Sequence, residues 1–203
     1  MWVKICGVRT LEAALIAEEA GANAIGLNLH PASPRYVEPK IAAEIAGALS
    51  IEVFIVVVDR TLKELRELVG TIAPDSIQLH GSESPEFAKM VEKELDISTI
   101  RAFRAHNGLF EELDKWQPRR FILDAYVAGL EGGTGKQVDR KTAKKASAWG
   151  EMILAGGLTP DNVEQIISET SPGGVDVASG VEISAGVQSH LAIREFIRAA
   201  KLG

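Results

Sequence analysis

The sequence predicts a parallel (β/α)8 barrel, and three observations carry that prediction. Short β-branched runs alternate with amphipathic patterns eight times along the 203 residues, and such alternation implies βαβ crossovers and parallel pairing. Eight units close most naturally into a barrel, for which about 250 residues is usual and about 200 is compact. The alternative, an open doubly wound sheet, lacks its Gly-rich dinucleotide fingerprint after the first strand. No low-complexity linker divides the chain, so one domain spanning residues 1–203 is expected.

In chain order the expected strands are Trp2 to Cys6, Ala24 to Asn28, Val53 to Val58, Ser76 to Leu79, Thr99 to Phe103, Phe121 to Asp124, Glu151 to Ala155 and Val175 to Ala178. Helical spacing follows in Leu11, Leu15 and Ala20, in Leu62, Leu65 and Leu68, in Phe87, Val91 and Leu95, and in Val163, Ile166 and Ile167. These stripes are expected to be core faces. Helix starts are signalled by Thr10, by Thr61 with Glu64 three residues on, by Ser84-Pro85 and by Thr159-Pro160.

Composition narrows the function. A net charge of −6 argues against a general binder of nucleic acid or of anionic membranes, which needs a basic face to displace counterions. Any anionic ligand is then held locally. The single cysteine forms neither an internal disulfide nor a multi-cysteine metal site, and the N-terminus lacks a secretory apolar stretch, so a cytoplasmic protein is expected. The longest strongly apolar run, Val53 to Val58, is too short to span a bilayer as a helix.

Strand parity brings polar side chains inside the barrel. With Val3 and Ile5 turned toward the helices, Lys4 and Cys6 point inward, Cys6 at the C-terminal strand end where barrel enzymes build their sites. The same parity turns Gln78 and His80, Asp124 and Asp176 inward. A buried lysine needs a partner, and closure places Lys4 opposite Asp176. That pair is either structural or part of a site. Asp176 is equally suited to meeting substrate hydroxyls, and His80 is a wall residue or a substrate contact.

After the seventh strand the chain reads AGGLTPDN, and after the eighth ASGVE. Glycines at these strand ends let backbone N–H groups approach an anion, and the loops after strands seven and eight are the frequent phosphate site of barrels. Gly156, Gly157, Ser179 and Gly180 are therefore the expected phosphate cradle. GLEGGTGK, Gly129 to Lys136, is too long for a minimal βα turn and reads as a lid or as a surface loop. Ser33-Pro34-Arg35 fixes an arginine above the barrel, either a solvated or structural side chain or a partner for a substrate carboxylate.

Together these segments resemble the phosphoribosylanthranilate isomerase family of tryptophan biosynthesis. The resemblance rests on KICG at 4–7, SPR at 33–35, QLHG at 78–81, LD at 123–124, GGTG at 132–135, AGGL at 155–158 with Asn162-Val163, and DVASGVE at 176–182. It implies an Amadori rearrangement of N-(5-phosphoribosyl)anthranilate to 1-(2-carboxyphenylamino)-1-deoxyribulose 5-phosphate, without metal or organic cofactor. By that resemblance Asp124 is the general acid, Cys6 the general base, Arg35 the carboxylate partner and the glycine cluster the phosphate site. Such roles need an aspartic acid raised from about 3.9 and a thiol lowered from about 8.5, with Lys4 the nearest source of positive potential for the thiol.

The partner implied is a small phosphosugar–anthranilate substrate, and monomer and homodimer stand equally. Departures from the family pattern are Val138 and Arg140 where aromatics are usual, Leu29-His30 after the second strand, and Gln188 where a lysine often follows the valine. One alternative is another phosphosugar isomerase or a dual-substrate relative that also serves histidine biosynthesis; the two-substrate relatives carry aspartate at the first-strand position, so Cys6 is the discriminator. A second is a silent barrel that only binds, against which Cys6 and Asp124 together argue.

Overall fold

A computed structural model describes residues 1–124 and 139–203. Its eight long strands are β1 (Trp2–Cys6), β2 (Ala24–Asn28), β3 (Glu52–Val57), β4 (Ser76–Leu79), β5 (Ser98–Arg104), β6 (Arg120–Asp124), β7 (Glu151–Ala155) and β8 (Gly174–Val177). Each pairs in parallel with the next, and β1 pairs with β8 to close the barrel. The helices are α1 (Leu11–Glu19), α2 (Pro39–Gly47), α3 (Leu62–Ile72), α4 (Pro85–Leu95), α5 (Leu109–Trp116), α6 (Arg140–Ala146), α7 (Val163–Thr170) and α8 (His190–Leu202). Between β8 and α8 lies an unforeseen antiparallel hairpin, β9 (Glu182–Ser184) with β10 (Val187–Gln188).

The caps work largely as their side chains dictate. Thr10 accepts from the Ala13 N–H, Thr61 and Glu64 form a reciprocal capping box, and Ser84 accepts from the Phe87 N–H. Two expectations need correction. Helix α7 begins at Val163 and not at Thr159, because Asn162 folds back to accept from the Thr159 N–H and to donate to the Gly157 carbonyl. Helix α1 buries Ala13, Ala14 and Ala17 and leaves Leu11 and Leu15 at 41% and 42% exposure. A face of small side chains lets this helix sit close to the barrel, which turns its leucines outward.

Parity sorts the apolar residues into two cores. The outer one packs Val3, Ile5, Ile25, Leu27, Ile55, Ile77 and Leu123 against the helices, and each fully buried side chain of this size contributes about 1.5–3 kcal/mol. The inner one holds Ala24, Phe54, Ile100, Ala102, Ile122 and Ile153 inside the barrel. Below it, at the N-terminal strand ends, Trp2 meets Phe54 edge-on with ring centroids 6.1 Å apart, and the Arg120 guanidinium lies 4.2 Å from the Trp2 centroid. Arg120 also approaches Glu151 at 3.5 Å and Glu52 at 3.9 Å. Above the inner core the lining turns polar. The Gly129 to Lys136 segment lies outside the described residues, and among those described no helix is long and apolar enough to cross a membrane.

Candidate active site

The inward polar residues occupy two levels. At the lower one, Lys4 is fully buried, and its ammonium donates to Gln78 Oε1 and to Asp176 Oδ1, each at 3.0 Å. Registry makes the latter contact possible, since Lys4 and Asp176 are direct neighbours across the β1–β8 closure. The Phe54 ring lies beneath, 5.7 Å from the ammonium. Burial favours the neutral amine, but Asp176 and then Cys6 outweigh it and hold Lys4 protonated, above the ordinary lysine value.

Lysine can only donate, so its contact fixes Gln78 with the carbonyl toward Lys4 and the amide group toward His80 Nδ1, 3.1 Å away. His80 Nδ1 is then the acceptor, and the ring proton sits on Nε2. Burial, followed by the positive charges of Arg104 and Lys4, lowers the His80 pKa, which favours this neutral form.

At the upper level a cavity of about 460 Å³ opens at the C-terminal strand ends. Cys6, Gln78, His80, Asp124 and Asp176 all line it, from β1, β4, β6 and β8 and the loop after β4. Lys4 does not reach this wall. It lies behind Cys6, Gln78 and Asp176 and acts on them. Gly26 of β2 makes room for the arrangement: a Cβ there would stand 2.7 Å from Cys6 Sγ and 3.0 Å from Lys4 Nζ. The thiol itself departs from expectation. Burial pushes it up, Lys4 pulls it down, Asp176 pushes it up again, and the net direction is above the ordinary thiol value.

The glycine loops line the same cavity through Gly156, Gly157, Ser179 and Gly180. Gly156 and Gly157 have φ of 89° and 68°, left-handed backbone that glycine adopts without strain. A Cβ on Gly180 would overlap the Leu158 carbonyl oxygen, so the two loops touch only because that position is bare. Asn162, bridging Thr159 and Gly157, fixes the shape of the first loop.

Arg35 reaches the cavity from the loop after β2, where it is held side-on by Glu182: Nε and Nη2 donate to the two carboxylate oxygens, each at 2.7 Å. These hydrogen bonds keep the guanidinium above its already high pKa. Sequence reasoning missed Glu182, which has no local signal because it lies 147 residues from Arg35. It also missed Arg104, which lines the cavity and which the inward parity of Ile100 and Ala102 would have placed.

A closed barrel whose C-terminal cavity gathers an acid, a thiol and two glycine loops has the layout of a (β/α)8-barrel enzyme. The family model described as N-(5'phosphoribosyl)anthranilate (PRA) isomerase matches residues 3–199. The chain belongs to this family of isomerases. An N-(5'-phosphoribosyl)anthranilate isomerase from Geotalea uraniireducens is 43% identical over 204 residues, covering 98% of each chain. The phosphoribosyl anthranilate isomerase structure from Thermotoga maritima superposes with a TM-score of 0.89 at 32% identity, over 99% of this chain and 98% of that one. A phosphoribosyl anthranilate isomerase in complex with reduced 1-(o-carboxyphenylamino)-1-deoxyribulose 5-phosphate gives 0.87 at 30% identity, with the same coverage.

Proposed function

We propose that this chain, as one cytoplasmic barrel of residues 1–203, catalyses the Amadori rearrangement of N-(5-phosphoribosyl)anthranilate. The product is 1-(2-carboxyphenylamino)-1-deoxyribulose 5-phosphate, an isomer of the substrate, so the chemistry is proton transfer without net loss or gain. Asp124 as general acid gives its proton to the ribose ring oxygen while the C1–O bond breaks and the anilino nitrogen forms a Schiff base. Cys6 as thiolate then takes the proton from C2. The resulting enolamine tautomerises to the ketone. Neither step calls for metal or organic cofactor.

The other residues hold the substrate or tune the two groups. Arg35, which keeps three donors beyond those given to Glu182, takes the anthranilate carboxylate. Gly156, Gly157, Ser179 and Gly180 take the phosphate. His80, with its Nε2 proton, and Asp176 meet the ribose hydroxyls, and Gln78 and Lys4 keep them in place. The observation that carries this reading is that Cys6 and Asp124 line one cavity together with both glycine loops.

The test follows the loss of substrate fluorescence when freshly made phosphoribosylanthranilate is mixed with the wild type, Cys6→Ser and Asp124→Asn. Both variants are expected to fold and to lose about 10²- to 10⁴-fold in turnover. Full activity in Cys6→Ser would end the base assignment. A wild type that neither turns the substrate over nor restores growth to a tryptophan auxotroph lacking the isomerase would end the functional reading.

A further inference from the structure

We propose that the β9–β10 hairpin is a positioning device that sets the spacing between Arg35 and Cys6, with Glu182 and Gln188 as its positioning residues. The inference rests on the reading of Arg35 as carboxylate partner and Cys6 as base. Glu182 and Gln188 stand directly opposite one another in the hairpin register. From one strand, Glu182, its side chain 4% exposed, grips the Arg35 guanidinium through both oxygens. From the other, the buried Gln188 amide donates to the carbonyl of Gly7 at 2.5 Å. Gly7 is the residue after Cys6.

The same hairpin therefore holds the arginine and the end of the strand that carries the thiol. Arg35 and Gly7 also touch: a Cβ on Gly7 would stand 2.5 Å from Arg35 Cδ, and Gly7 has a φ of +73°. The hairpin turn is anchored as well. Glu182 Oε1 accepts from the Gly186 N–H at 3.2 Å, and a Cβ on Gly186 would overlap the Pro34 carbonyl. In the substrate, the distance from carboxylate to C2 is bounded by covalent bonds, while Arg35 and Cys6 come from separate elements. A third element bonded to both helps to hold two such groups to within about 0.5 Å.

The side-on grip also decides which edge of Arg35 meets a ligand. Nε and Nη2 face Glu182, so the edge formed by Nη1 and the second Nη2 proton remains for a second carboxylate. Glu182 thus acts on binding through Arg35, and Gln188 acts on proton abstraction through Cys6.

Full-length variants test the split. Glu182→Gln is expected to raise KM for phosphoribosylanthranilate about tenfold with kcat within about threefold, and to add nothing to Arg35→Ala. Gln188→Leu is expected to leave KM within about threefold and to lower kcat about tenfold. Because Cys6 is the only cysteine, its alkylation by iodoacetamide reports the thiol directly, and Gln188→Leu is expected to speed it about threefold. If Glu182→Gln fails to fold, Glu182→Asp, which keeps the charge but shortens the reach, is expected to raise KM about threefold. An unchanged or lowered KM in the Glu182 variant overturns the proposal, since Glu182 would then be idle or a competitor for Arg35. So does unaltered alkylation in Gln188→Leu. Absence of turnover in the wild type would sink the functional reading instead, leaving the alkylation result to decide the tie between Gln188 and Cys6.

Discussion

At the N-terminal end of the barrel, the Arg120 guanidinium lies over the Trp2 ring between Glu52 and Glu151, and the hydroxyls of Ser76 and Ser98 meet at 2.6 Å. At the C-terminal end, side chains from the same strands line a cavity of about 460 Å³. Both ends carry inward-pointing polar residues, so polarity does not distinguish them. What differs is the packing beneath: the lower groups rest on an aromatic lid over the apolar core, whereas the upper groups ring an opening and are braced from behind by the enclosed Lys4. A barrel of this kind keeps stability and chemistry at opposite ends of each strand, and substitutions should separate along that axis.

The strongest challenge to the comparison is Cys6→Ser or Asp124→Asn, expected to cost about 10²- to 10⁴-fold in kcat while the thermal midpoint stays within a few degrees. Lys4→Met comes next and tests the boundary between the ends. It leaves the buried Asp176 without its cation, which costs about 3–5 kcal/mol in a denaturant titration. It also removes a charge that pulls the thiol down, so the Cys6 pKa rises further. With Cys6 in its proposed role as a base that acts deprotonated, the rising limb of kcat/KM against pH should move to higher pH than in the wild type.

Gly26→Ala is a smaller perturbation confined to the upper end. The added methyl displaces Cys6 Sγ or Lys4 Nζ, and a loss of about tenfold to a hundredfold in kcat, read by steady-state kinetics, is expected from a shift of about 1 Å. Smallest is Arg120→Met at the lower end. Removing a partly exposed ion pair and one cation–π contact should cost about 1 kcal/mol by thermal melting, with kcat within about twofold. A large catalytic defect in Arg120→Met, or a purely structural one in Gly26→Ala, would break the division between the ends.

The barrel was legible because its signals are local. Alternation places Lys4, Cys6, Gln78, Asp124 and Asp176 inward whatever their distant neighbours are, and eight repeats leave little freedom in how the strands close. The side-chain caps at Thr10, Thr61 and Ser84 depend on three residues each and were equally readable. Contacts that hinge on distant partners were not. The Arg35–Glu182 pair, the Gln188–Gly7 bond and the hairpin behind them join positions 147 and 181 residues apart. Helix α1 misled for a related reason: leucine spacing marks a stripe, but how closely a helix approaches its sheet is decided by the small residues beside that stripe. The direction of the Cys6 shift was hidden too, because burial of the thiol outweighs Lys4, whose charge is shared with Asp176.

Lys4 also bears on how the molecule is made. It lies in the first strand, and the carboxylate that neutralises it follows 172 residues later. Until that last strand arrives, the first strand has an uncompensated ammonium on its inner face and nothing to pair with on one edge. Loop-closure entropy grows only slowly with length, so the delay costs the finished protein little. During synthesis the join between the first strand and the eighth is therefore expected among the latest contacts to form.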